Sequence, residues 1–127
     1  MDSKRRIRFW IAVLVLGLLP IMAWSDGLGD AGNSETLSSM TSPKGLTTAY
    51  LTHNGAPIKN ALLVVRVASV KVTVDGSTPQ TTAAGGHGLL LANGQNWIVI
   101  GTGNCQRIQA INETAGNGAV IDVVEYY

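Results

Sequence analysis

The sequence predicts an all-β protein, a small antiparallel β-sandwich or barrel of six to seven strands, preceded by an N-terminal apolar signal or anchor helix and a flexible linker. Three observations lead there. Charged residues are only 13% of the chain and Gly is 15 of 127, a balance closer to tightly turned β structure than to a helical bundle. Short apolar runs that alternate with a period of two are separated by Asn-Gly and Asp-Gly pairs, the usual punctuation of antiparallel strands. The first 25 residues have the layout of an export signal. These features divide the chain into 1–25, a signal peptide or membrane anchor; 26–45, a flexible linker; and 46–127, the β domain.

Residues 1–8 carry Lys4, Arg5, Arg6 and Arg8, and residues 9–25 (FWIAVLVLGLLPIMAWS) contain no charge. Ala23 and Ser25 put small residues at the −3 and −1 positions of a cleavage after Ser25, and Pro20 breaks the apolar helix before it. If it is uncleaved, the segment is short for a span of about 20 residues, and its flanking cations would keep the N-terminus cytoplasmic. Met22 and Met40 offer later starts, and translation from Met40 would leave little beyond the β domain. Residues 26–45 (DGLGDAGNSETLSSMTSPKG) show no apolar periodicity, hence the linker.

In the β domain, TTAYLT (47–52) reads as a strand and Asn54-Gly55 as a tight reversal. Residues 61–67 place Leu63, Val65 and Val67 on one face, after which the phase switches so that Val70, Val72 and Val74 form the next apolar series. A side-chain period of two requires a bulge or bend around Ala68-Ser69. Arg66, Lys71 and Thr73 are expected outside, and the five valines from Val65 to Val74 inside. Asp75-Gly76 ends that strand, and 77–88 reads as a small, polar surface loop. Residues 89–92 (LLLA), NGQN (93–96) and WIVIG (97–101) predict the clearest hairpin. CQRIQAI (105–111) predicts a short strand, and AVIDVVEYY (119–127) a final one.

Composition narrows the function classes. Residues 9–127 hold five basic groups against seven acidic ones, and a net −2 provides no electrostatic footprint for phosphate backbones, so no nucleic-acid partner is expected. The single cysteine, Cys105, excludes an intramolecular disulfide and a cysteine-based zinc site; its alternating context predicts a buried free thiol. His53 and His87 lie in predicted loops as solvated side chains, with no third ligand at metal-like spacing. Ser, His and Asp all occur, but no Gly-x-Ser-x-Gly elbow does. Of the domain's acids Asp75, Glu113, Asp122 and Glu125, the last two face opposite sides of one strand and read as its polar positions rather than a glycosidase pair. The AAGGHG run (83–88) lacks the lysine and the strand–helix setting of a phosphate loop. Asn112-Glu113-Thr114 matches a glycosylation sequon. Trp97, Tyr50, Tyr126 and Tyr127 would suit a sugar if exposed, but core packing is the commoner fate of such residues. No catalytic, cofactor-binding or metal site is expected, and no enzymatic activity.

From residue 75 onward, DGSTPQTTAAGGHGLLLANGQNWIVIG, CQRIQAI and AVIDVVEYY together resemble small virion structural proteins of tailed bacteriophages, through a hairpin, an Arg-Ile-x-x-Ile strand and a last strand ending in aromatics. The resemblance spans about 50 residues and rests on hairpin rhythm. It implies a non-enzymatic virion protein of decoration or fibre type, with copies of itself and capsid or tail proteins as partners. The apolar N-terminus departs from that pattern. It points instead to a secreted or membrane-tethered envelope β module that binds a glycan or protein, with the membrane as partner through 9–25.

Overall fold

A computed structural model describes residues 29–127; the signal or anchor segment 1–25 lies outside them, as do residues 26–28. The described chain is all-β with antiparallel sheets. Its strands are β1 (Ala31–Leu37), β2 (Lys44–Gly45), β3 (Thr52–His53), β4 (Ala56–Pro57), β5 (Asn60–Arg66), β6 (Val70–Thr73), β7 (Leu89–Leu91), β8 (Asn96–Ile100), β9 (Gln109–Asn112) and β10 (Val120–Tyr126), with one short helix, α1 (Thr102–Gln106). One sheet has the order β1-β10-β5-β8, a second β2-β9-β6-β7, and β3-β4 is a separate ribbon. The strand number exceeds the expected six to seven because three of the ten are two-residue pairings and two, β1 and β2, come from the supposed linker.

Alternation drives the packing. β10 buries Ile121, Val123 and Glu125 and half-buries the residues between them, while β5 buries Ala61, Leu63 and Val65. Val70 and Val72 of β6, Leu91 of β7 and Ala110 of β9 join them in one core. A fully buried aliphatic side chain of this kind contributes about 1.5–3 kcal/mol relative to exposure. The phase switch between β5 and β6 is a change of sheet. Ala68 N–H donates to Arg66 C=O at 2.9 Å, a three-residue turn with Val67 at its centre, φ 74° and 62% exposed.

The register expectation therefore fails at Val67, which sits on the turn rather than on the strand. It fails also at Thr73, which is buried because residues 77–88 fold back onto β6: Thr73 Oγ1 donates to Ser77 C=O at 2.6 Å. Arg66 is outside as expected, paired with Asp122 across the outer face of the first sheet, where Thr36 Oγ1 also donates to Asp122 Oδ1 at 3.0 Å. Lys71 and Val74 are half-buried. Within 77–88, Pro79 is buried while Thr82–Ala84 form an exposed 3₁₀ turn.

The linker expectation is corrected over 31–45. Residues Ala31–Leu37 pair antiparallel with β10, from Ala31 opposite Tyr126 to Leu37 opposite Ile121, and Leu37 and Met40 are in the core. The segment lacks an apolar pattern because its inward positions are Asn33, Glu35 and Leu37, two of them polar. At Gly32, where the register slips, a Cβ would lie 2.7 Å from the Tyr127 ring, so the close approach of β1 to that ring requires glycine. Residues 47–52 are mostly a 3₁₀ turn, Thr48–Tyr50, ending in β3. Asn54 (φ 50°) and Gly55 (φ 80°) then form the tight reversal into β4.

Two further expectations are overturned. LLL and NWIVI do not pair: β7 pairs with β6 in the second sheet and β8 with β5 in the first. At the turn between them Gln95 N–H donates to Ala92 C=O at 3.0 Å, with Gly94 at φ 86°. Only the second central residue has positive φ, which is a type II geometry; it splays the flanking strands instead of matching their twist. The first half of CQRIQAI is helical, so Cys105 sits on α1 and the strand is only Gln109–Asn112.

Candidate functional site

The splayed arms create an open seam. β7 is the last strand of one sheet and β8 the last strand of the other, so both present an unpaired edge. Leu89 (51%), Leu90 (44%), Ile98 (43%) and Ile100 (69%) are exposed there, and residues 89–101 contain no charge. Ile98 lies opposite Leu62, which lies opposite Val124, and both of those are half-buried on the same outer face. The opposite edges are blunted in the ways sheet edges usually are: β1 carries Glu35, and β2 is two residues long with Lys44.

At the mouth of the seam Leu89 and Trp97, with Val72 and Val74, form the apolar floor of a cleft of about 320 Å³. Asp75, Ser77 and His87 form its polar rim. Ser77 Oγ donates to Asp75 Oδ1 at 2.5 Å, Ser77 N–H donates to the same oxygen at 2.9 Å, and His87 Nε2 lies 2.8 Å from Ser77 Oγ. The structure thus brings together three residue types that the sequence left scattered. Their order is wrong for nucleophilic catalysis, in which the hydroxyl must donate to the imidazole and the carboxylate must orient the ring. Here the hydroxyl proton goes to the carboxylate, leaving Nε2 as donor to Oγ. Asp75 is held below the usual carboxylate range chiefly by the Ser77 hydroxyl, which makes it a weak base. The bonds are those of an Asx turn that closes β6.

A second polar cluster lies beside β1. Glu125, read from sequence as a polar position of a partly exposed strand, is fully buried on the inward face of β10. The alternation was right about Asp122 and Glu125 facing opposite ways; β10 is simply an interior strand, so one of the two faces the core. Burial, and then the adjacent Glu35 carboxyl, push Glu125 up to about 7. Tyr127, also buried, accepts from Asn33 Nδ2 at 2.8 Å and donates to Tyr50 C=O at 2.5 Å. The His53 ring packs against it at 5.1 Å, so His53 is half-buried, not a solvated loop side chain. His87 is exposed, as expected. Cys105 is a free, buried thiol, pushed up to about 11 by desolvation.

Trp97, Tyr50 and Tyr126 are half-buried, with Trp97 against the core. The Gly-rich run 83–88 belongs to the loop that hydrogen-bonds Glu113 C=O through Thr82 N–H. Asn112 of the sequon is 2% exposed, which closes it to a glycan. Among the described residues no three His, Cys, Asp or Glu side chains are grouped to hold a metal, and no helix is long and apolar enough to cross a membrane.

The seam was not anticipated from sequence. Its signal was present, an uncharged 13-residue stretch from Leu89 to Gly101, but a hairpin reading pairs the two arms with each other and hides both edges. Compared with known proteins, the chain matches no family model, no curated protein and no solved structure.

Proposed function

We propose that the domain is a small β-sandwich that works without catalysis, as a virion structural protein of decoration or fibre type, by packing against copies of itself and against capsid or tail subunits. The observation that carries this reading is the pair of uncharged, apolar edges β7 and β8. Unpaired edges of this kind template strand pairing with another chain, and an antiparallel pairing of β8 with β8 about a two-fold axis is self-complementary. Leu62, Val124, Ile98 and Ile100 would then continue into the interface. The resemblance in residues 75–127 supplies the virion setting.

The test is sedimentation velocity of the purified protein against Ile98→Lys and Ile100→Lys, both exposed positions whose replacement leaves the core intact. Wild type is expected to associate with rising concentration, and the lysine variants to need at least about tenfold more protein, a loss of about 1.4 kcal/mol. A wild type that stays monomeric, or variants that associate equally well, would sink the reading.

The cleft lined by Trp97, with the Asp75 and His87 rim, favours a second reading: a secreted or membrane-tethered envelope module that binds a glycan or protein. Fractionation separates the two. Recovery with purified particles supports the first, and recovery from periplasm or membrane with Ser25 removed supports the second.

A further inference from the structure

β1 and β10 carry a carboxyl each on the same inward face. Asn33 is opposite Glu125, and Glu35 is opposite Val123, one inward position further along. The Glu125 side chain is fully buried, and neither of its oxygens receives a hydrogen bond from any donor in the structure. Glu35 is the carboxyl on the inward face of the neighbouring strand, and its proximity adds to burial in pushing Glu125 up. The Glu35 carboxylate already accepts from Thr47 N–H at 2.9 Å and from Thr47 Oγ1 at 2.6 Å, which leaves Glu125 as the member that carries a proton and donates. Two ionised carboxylates could not share this place, since both would be acceptors and like-charged in a desolvated setting.

The other groups around the pair do not relieve that conflict. From β5 the residue opposite Glu125 is Ala61. From the 3₁₀ turn comes Tyr50, from the end of β10 Tyr127, and from β3 His53, whose contact is with the Tyr127 ring. Among the described residues no Lys or Arg pairs with either glutamate; the ion pair there is Arg66–Asp122, on the outer face.

We infer that the Glu35–Glu125 carboxyl pair is a proton-operated latch that holds the edge strand β1 against β10. With the proton present, Glu125 donates to Glu35 across the seam between the two strands. When it leaves, a buried negative charge on Glu125 faces the half-buried Glu35 carboxylate, and the element that yields is β1, which has a sheet neighbour on one side only. The sign follows from linkage. The folded state keeps a proton that the unfolded chain releases near the ordinary glutamate value of about 4.3. The latch is therefore fully engaged below that value and lost as pH rises through about 7. It is independent of the association proposed for β7 and β8.

Amide hydrogen exchange on the full chain tests it, with rates corrected for intrinsic pH dependence and β5 as internal reference. Between about pH 5.5 and about pH 8.5, protection of the β1 amides should fall at least about tenfold relative to β5. Glu125→Gln, neutral at every pH and able to donate to Glu35, should hold β1 equally protected at both. Wild-type protection that does not change, or a Glu125→Gln protein that loses protection as wild type does, overturns the latch. So does recovery of wild-type protection on adding calcium at the higher pH, since the pair would then be a cation bridge. If Glu125→Gln does not fold, the carboxyl ¹³C shift of Glu125 in wild type decides: titration near neutrality supports the latch, and titration in the ordinary glutamate range overturns it.

Discussion

Val67 shows how much a single residue can decide. A β-branched side chain at φ 74° is a steric outlier, stored in a three-residue turn of the rare, strained kind. Period-two alternation assigns Val67 to the inner face with Leu63 and Val65, and that assignment would hold if the strand continued one residue further. The chain instead leaves the first sheet there. Because Val67 is 62% exposed, truncating it forfeits little burial. Val67→Gly should relieve strain of about 1–3 kcal/mol, offset by about 0.5–1 kcal/mol of added chain entropy. The net expectation is a gain of roughly 1 kcal/mol, seen as a melting temperature higher by several degrees. A lower melting temperature would mean that the turn is not strained.

At the scale of elements, the Asn-Gly pairs at 54–55 and 93–94 behave differently for a reason that the dipeptide does not contain. At Asn54-Gly55 both residues have positive φ, and two short strands close on each other. At Asn93-Gly94 only Gly94 does, and the turn is tied sideways to β5: Gly94 N–H donates to Val65 C=O at 2.8 Å, and Val65 N–H to Gln95 C=O at 3.0 Å. Gly94 thus positions β8 on β5 rather than joining a hairpin. A Cβ there meets nothing within 4 Å, so Gly94→Val should cost about 1–3 kcal/mol from backbone strain alone. Gly86 is no neutral control, since its φ is 70°. Gly103, on α1 with open space around it and no positive φ, is one: Gly103→Ala should leave the melting temperature unchanged or raise it. Equal melting of Gly94→Val and wild type would remove the turn from its proposed role.

For the whole molecule the question is where the domain begins. The sequence placed its start at residue 46, with Met40 as an alternative translation start. The structure puts a strand before both points. A chain starting at Met40 would lose Leu37 from the core and leave the β10 edge unpaired along its length. Such a chain should melt non-cooperatively or aggregate, while residues 29–127 melt in one transition, as circular dichroism would show. In a domain this small, with stability of about 5–10 kcal/mol, the loss of an edge strand and a core anchor is a large fraction of the total. Cooperative melting of the Met40 chain at the wild-type temperature would restore the shorter boundary.

The amino-acid sequence by itself determined the all-β class, the strands read at 61–67, 70–74 and 119–127, each within a residue of its ends in the structure, the break between the first two, and the Asn54-Gly55 reversal. Each of these is written in local chemistry, either β-branched residues with a period of two or a dipeptide that accepts positive φ. Tertiary structure decided the rest. β1 is extended because β10 has an edge to be paired, not because AGNSETL prefers a strand. The arms at 89–91 and 96–100 separate because each finds a better partner in β6 or β5 than in the other. Glu125 is buried because β10 became an interior strand. Alternation states which residues share a face, but the identity of the inward face and the choice of neighbour come only from the other strands.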